Sequence, residues 1–388
     1  MQLIRQSSGF RPGINVLAEK HAGLLEGRRI GLVAHGASVD INGIHTARLL
    51  QSRFGSGLKC IFGPEHGFLG TAAAGDAVDN ARHPVWGIPI YSLYGETRKP
   101  TAAMLADLDV LIVDLQDLAV RCYTYVSTLR LVMEAAAEHG IDVIVADRPV
   151  PFPNVCDGPM LDPAFESFVG MIPAPLIYGM TPAETALFLK KQMMPEVSLY
   201  AVPMSGWHRS AGWPGLAPWN PPSPGILTWE TAMIYPSLVC CEALPMLDCG
   251  RGTQNIFRIV AAPWIRAEEL RKTLGQLPGL ETSIENYRSC RGRSAGTEME
   301  GLRFAVISPE NLRPVETAVR LLAAIQELYG AGRLWSDPET RPEFFDKLMG
   351  TASVREALQK GTPASRIIAS WETGLTGFEA GRKSVKIY

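Results

Sequence analysis

DVLIVDLQDLAVRCYTYVSTLRLVMEAAAEHGIDVIVAD, residues 109 to 147, holds two short apolar runs on either side of one helical pattern. DVLIVDL (109–115) and IDVIVAD (141–147) are rich in Val and Ile at consecutive positions, which is how a strand covered on both faces reads. Between them Val126, Leu129, Met133 and Ala137 recur at helical spacing, and Gly140 supplies the stop directly before the second run. This strand, helix, strand succession predicts a parallel sheet with a crossover helix.

Working outward, RIGLVAH (29–35), LKCIFG (58–63) and IPIYSL (88–93) have the same character. Together the runs predict an α/β, Rossmann-like parallel sheet with helices on both faces, and ligand groups gathered at the carboxyl ends of the strands. Later segments, FRIVAAPW (257–264), LRFAVI (302–307) and PVETAVRLLAAIQELYG (314–330), read as the core of a smaller α+β C-terminal domain. The expected division is 1–195 and 196–388, with the active-site cleft between the two.

Composition narrows the partners. Over 388 residues the formal net charge is -2 and the signs are interspersed, which leaves no basic stripe for nucleic acid or an anionic membrane. No apolar stretch is long enough to span a bilayer, and MQLIRQSSGFRPG lacks the pattern of a secretory signal, so a cytoplasmic location is expected. Seven cysteines without CxxC spacing read as reduced thiols, and seven scattered histidines predict no metal. The first strand runs into HGASVD (35–40) without GxGxxG, and no Walker loop, GxSxG or HExxH occurs, so no nucleotide or other cofactor is expected.

Polar residues collect where the strands end. FGPEHGF (62–68) presents Glu65 and His66; the next strand empties into Asp114, Gln116 and Asp117, followed by Arg121 and Tyr123; another ends in Asp147 and Arg148. In a parallel sheet these ends share one edge and could face one cleft. Asp114 and Asp147 have a structural alternative, bonding nearby amides or pairing with Arg148. Glu65, flanked by glycines after a buried strand, has little structural use, and reads as functional.

These stretches carry a resemblance. FGPEHGF, Ala74-Gly75, YSLYG (91–95), VDLQDLAVRCYTY (113–125), ADRP (146–149), GPMLD (158–162), SFVG (167–170), YGMTPAE (178–184), WHRS (207–210), TWETAMIYPS (228–237), GRGT (250–253) and APWI (262–265) occur in that order. The chain closely resembles the NamZ-type exo-β-N-acetylmuramidases, glycoside hydrolases formerly known as DUF1343, from about residue 13 to the final KIY. The resemblance implies a Rossmann-like domain, a smaller C-terminal domain and a cleft that releases N-acetylmuramic acid from non-reducing ends of peptidoglycan fragments.

Such a reaction needs an acid to protonate the leaving oxygen, a role that fits Glu65, and a second group at the oxocarbenium-like centre, for which Asp117 and Glu242 are candidates. The sugar's lactyl carboxylate suits a planar guanidinium, with Arg121, Arg148 and Arg251 as candidates. Trp207, Trp213, Trp219 and Trp229 cluster in WHRSAGWPGLAPWNPPSPGILTWE (207–230), where one or two are expected to touch ligand. The expected substrate-binding set is therefore His66, Asp114, Gln116, Arg121, Tyr123, Arg148, Trp219, Asn220 and Arg251. Where family members usually carry a Glu before Gly-Arg-Gly-Thr, this chain has Cys249, and a Gly-Thr-Asn run after Glu242 is replaced by Ala243-Leu244-Pro245. Those changes motivate an alternative: a sugar-binding homologue without catalysis, or a glycosidase of altered specificity.

Overall fold

The computed structural model describes residues 9–211 and 216–388. Its strands are β1 (Ile30–Ala34), β2 (Leu58–Gly63), β3 (Ala81–Arg82), β4 (Pro89–Ser92), β5 (Val110–Asp114), β6 (Asp142–Ala146), β7 (Asp157–Met160), β8 (Pro175–Ile177), β9 (Leu199–Val202), β10 (Ile259–Ala261), β11 (Leu280–Arg288) and β12 (Glu298–Val306). A seven-stranded sheet runs in the order β3-β4-β2-β1-β5-β6-β9, parallel throughout except where β3 pairs antiparallel with β4. Five of its strands coincide with the apolar runs of the sequence to within a residue at each end.

The crossover helix spans Tyr125–His139 and stops at Gly140, whose φ of 65° and ψ of 31° place it in the left-handed region. Val126, Leu129 and Met133 are buried against the sheet, while Ala137 is half-buried. The YGMTPAE motif is also explained locally. Thr181 and Glu184 form a reciprocal capping box at the start of the helix Pro182–Met193, and Pro182 occupies its first turn.

β9 lies beyond residue 195 yet pairs in parallel with β6, so the sheet continues past the expected domain division. The three-stranded antiparallel sheet β10-β12-β11 forms the second unit. Helices Trp229–Leu238 and Ala267–Leu274 pack against β12, and Pro314–Tyr329 packs on both. Asp157 on β7 ties this unit to the rest: its carboxylate accepts from the amide of Val315, at the start of that last helix, at 2.8 Å. Helix Glu372–Lys383 then returns against β7 and β8, with the buried Arg382 donating to the Gly179 carbonyl at 2.9 Å.

β1 is the point where the winding reverses, with β2 and β4 on one side and β5, β6 and β9 on the other. In sheets of this order the crevice beyond β1 and β5 is the usual ligand position. Here that crevice is filled by side chains of the protein.

Candidate active site

The filling is a polar network centred on Asp114, which has no exposed surface. Arg148 makes a bidentate pair with it at 2.5 and 2.8 Å, Thr46 donates to the same carboxylate, and Ser38 donates to the Asp114 carbonyl at 2.5 Å. His35 accepts from the Gln116 amide through Nε2 at 3.0 Å. Burial, then the charge of Arg148, holds His35 well below its ordinary value, so the imidazole is the neutral acceptor this bond requires. Gln116 spends its side-chain amide on the carbonyls of Asp117 and Pro149. Asp114 and Arg148 thus satisfy each other, Gln116 is held by backbone carbonyls and His35, and none of the three lines the cleft.

Two further expectations are corrected by burial. Arg121 is fully enclosed and donates to the carbonyls of Pro159 (3.0 Å), Ala174 (2.6 Å) and Met349 (2.5 Å), which joins the first unit to the end of helix Pro342–Met349. With no face to solvent it cannot meet a substrate carboxylate. Asp117 is equally sealed, accepting from the Tyr178 hydroxyl and, at 3.2 Å, the Ala119 amide, and burial raises it to about 6.

The described tryptophans of this stretch pack against other aromatic rings. Trp219 donates to the Ile226 carbonyl at 3.2 Å and meets Trp229 edge-on, Trp207 meets Tyr388 edge-on, and Trp213 lies outside the described residues. Asn220 bonds the Pro218 carbonyl. Neither Trp219 nor Asn220 is among the residues lining the cleft.

What remains converges. A cleft of about 790 Å³ lies between the two units, and Glu65, His66, Tyr123, Glu242 and Arg251 all line it. Glu65 comes from the loop after β2. Its Oε2 accepts from the Thr124 hydroxyl at 2.6 Å, and its Oε1 from the Gly75 amide at 3.0 Å, so both oxygens are fixed. The loop is tight: Gly63 would bring a Cβ to 2.6 Å from the Phe68 amide, and Gly67 has a φ of 77°. His66 adopts a φ of 69°, and its Nδ1 lies 2.8 Å from the Ala72 carbonyl; that nitrogen therefore carries hydrogen, and Nε2 is the free one.

The opposite wall comes from the second unit. The short turn Val239–Ala243, following helix Trp229–Leu238, delivers Glu242, which pairs with Arg251. Arg251 in turn lies 5.1 Å over the ring of Phe257, a residue with a φ of 54°. His66 and Phe257 are two of the three non-glycine residues with positive φ among those described, and both line the cleft, as strained backbone at functional sites often does. Cys249, at the position of the expected Glu, is buried at the cleft wall; burial and then the charge of Glu242 push its thiol up to about 12, so it stays neutral.

Several lining residues escaped the sequence reading. Thr124 and Tyr94 stand beside Glu65, and Tyr94 is raised above its ordinary value by partial burial and then by the Glu65 charge. Arg291, Arg293 and Arg341 also line the cleft, on the wall of the second unit. Arg293 pairs with Asp337, and Arg341 donates to the Glu242 carbonyl. Arg291 packs over Gly252 and has no ion-pair partner among the described residues. Among the described residues there is also no cluster of side chains that could hold a metal ion.

The cleft therefore presents Glu65 from the first unit and Glu242 and Asp248 from the second, Asp248 being engaged by the Ser289 hydroxyl and the Gly250 amide, with an excess of guanidinium groups on one wall: groups for acid catalysis beside groups for an anionic ligand. Comparison with known proteins agrees. The family descriptions exo-β-N-acetylmuramidase NamZ, N-terminal and C-terminal, match residues 30–230 and 233–388. A protein of Bacillus subtilis (strain 168) described as peptidoglycan β-N-acetylmuramidase NamZ is 35% identical over 97% of this chain and 91% of its own length. Two crystal structures of DUF1343 family proteins from Bacteroides fragilis NCTC 9343 superpose with TM-scores of 0.91 and 0.75. Their identities are 31% and 25%, covering 100% and 98% of this chain, and 100% and 99% of their own. The chain belongs to the exo-β-N-acetylmuramidase NamZ family.

Proposed function

We propose that this chain is an exo-acting glycoside hydrolase that releases N-acetylmuramic acid from the non-reducing ends of peptidoglycan fragments, with Glu65 and Glu242 as its two working carboxyl groups. The observation that carries this reading is that the two line opposite walls of one cleft, while Asp117, the other candidate, is enclosed.

Glu65 gives its proton to the glycosidic oxygen as the bond to the anomeric carbon breaks, its side chain aimed by Thr124 and the Gly75 amide. Glu242, oriented by Arg251, meets the positive charge that builds on the sugar ring, and water then bonds to the anomeric carbon and gives up a proton to the pair of carboxyl groups, which restores the acid. His66, through Nε2, bonds a sugar hydroxyl, while Tyr123, whose hydroxyl is buried, contributes its ring to the wall. The lactyl carboxylate goes to Arg291, since Arg121 and Arg148 are consumed internally and Arg251 holds Glu242. The domain division belongs between β9, ending at Val202, and helix Trp229–Leu238.

The test is incubation of the purified chain with a disaccharide carrying N-acetylmuramic acid at its non-reducing end. Free N-acetylmuramic acid is the expected product. Tight binding of the disaccharide without any release would instead support the non-catalytic alternative.

A further inference from the structure

Beside the cleft lies a second cavity, of about 520 Å³, that shares Arg293 and Ser294 with it across the turn Gly292–Ser294. We propose that this cavity is a subsite for a second acidic sugar of the same glycan chain, on the leaving-group side of the bond being cut. This rests on the exo-hydrolase reading above. An enzyme that removes the terminal sugar leaves the rest of the chain extending beyond the scissile bond, and this cavity adjoins the cleft across the two residues they share.

Its lining suits a sugar that carries a carboxylate. Trp264 offers an aromatic surface and is braced edge-on by Tyr329 at 5.2 Å. Arg333 sits 5.6 Å over that ring and has no carboxylate partner among the described residues. A guanidinium held by stacking keeps its planar edge available for a carboxylate. The cavity's own acid, Asp337, is already engaged by Arg293 at 2.5 Å and by the Glu339 amide at 3.0 Å. Asp337 therefore leaves the positive charge of Arg333 uncancelled, and it has no free carboxylate partner with which to hydrolyse anything. The subsite binds and does not cut.

The experiment compares kcat/KM for a muramyl disaccharide and for the tetrasaccharide of two such repeats, in the wild-type chain and in Arg333→Ala. One charge-assisted contact predicts about a tenfold preference of the wild type for the tetrasaccharide. Arg333→Ala abolishes that preference and leaves the disaccharide rate unchanged, while Arg333→Lys retains part of it. Equal kcat/KM for the two lengths in the wild type overturns the subsite, as does an equal loss on both substrates in Arg333→Ala. Should neither substrate be cleaved, the hydrolase reading fails. Calorimetry with the same pair then decides the subsite: tighter binding of the tetrasaccharide that Arg333→Ala removes supports it, and equal binding overturns it.

Discussion

Removing the Thr124 hydroxyl isolates how Glu65 is aimed. Thr124→Val keeps the shape of a buried side chain and deletes the 2.6 Å bond to Oε2, leaving the Gly75 amide as the other hydrogen bond to that carboxyl group. A hydrogen bond to a charged group contributes about 1.5–3 kcal/mol, so if it acts by positioning the acid, kcat falls by about 10- to 150-fold. KM should stay within about twofold, because the contact is made to the enzyme's own carboxyl group and not to the sugar. Thr124→Ser restores the hydroxyl and should recover most of the rate. The assay is steady-state release of N-acetylmuramic acid, with chemical denaturation to confirm that stability is kept. An unchanged kcat, or a rise in KM alone, would refute the positioning role.

Asp117→Asn should keep kcat within about threefold, since an amide oxygen can still accept from Tyr178 and Ala119; a loss of about 10³-fold would return Asp117 to the catalytic role. Asp157 gives a pH signature in stability: burial, against the pull of the Val315 and Glu316 amides, raises it to about 7 from 3.8. The folded state holds this proton longer than the unfolded one, so its contribution is complete below pH 4 and is lost as pH rises through 7, with a ceiling of about 4 kcal/mol. Denaturation of Asp157→Asn across pH 4 to 8 should show a flatter dependence than the wild type, and an unaltered slope would contradict the assignment. Tyr388→Phe strips one donor from Asp147 and the acceptor of the Met204 amide, which should cost about 2–4 kcal/mol in urea denaturation; a cost under about 0.5 kcal/mol would show the bridge to be idle.

The parallel sheet was legible because strands buried on both faces read as near-continuous apolar runs, and β1, β2, β5 and β6 do, with charged residues only at or next to an end (Lys59, Asp114 and Asp142). β9 and β11 were not: β9 is an apolar run of only four residues, most of them half-buried or exposed, and β11 carries no continuous apolar run. At the site, Glu65 could be read from its glycines, which have a use only if the backbone must turn tightly there. Asp114, Gln116 and Arg148 misled for a physical reason: they do stand at strand ends on the ligand edge, but Asp114 and Arg148 consume each other's charge and Gln116 is spent on backbone carbonyls. Arg121 and Asp117 misled because sequence does not report enclosure. Arg291, Arg293 and Arg341 were out of reach, as nothing local marks a surface arginine as the wall of a cleft whose other wall is more than 150 residues earlier in the chain.

The central claim is that Glu65 is the acid that protonates the leaving group, with Glu242 serving the other side of the reaction. It is tested most directly by measuring Glu65→Gln and Glu242→Gln on two muramides, one with a sugar leaving group and one with a nitrophenolate, which departs without protonation. The account predicts that Glu65→Gln loses about 10²–10⁴-fold on the sugar substrate yet recovers most of its rate on the nitrophenyl muramide, whereas Glu242→Gln is impaired on both. Equal impairment of Glu65→Gln on the two substrates, or undiminished release by it from the sugar substrate, would contradict the assignment.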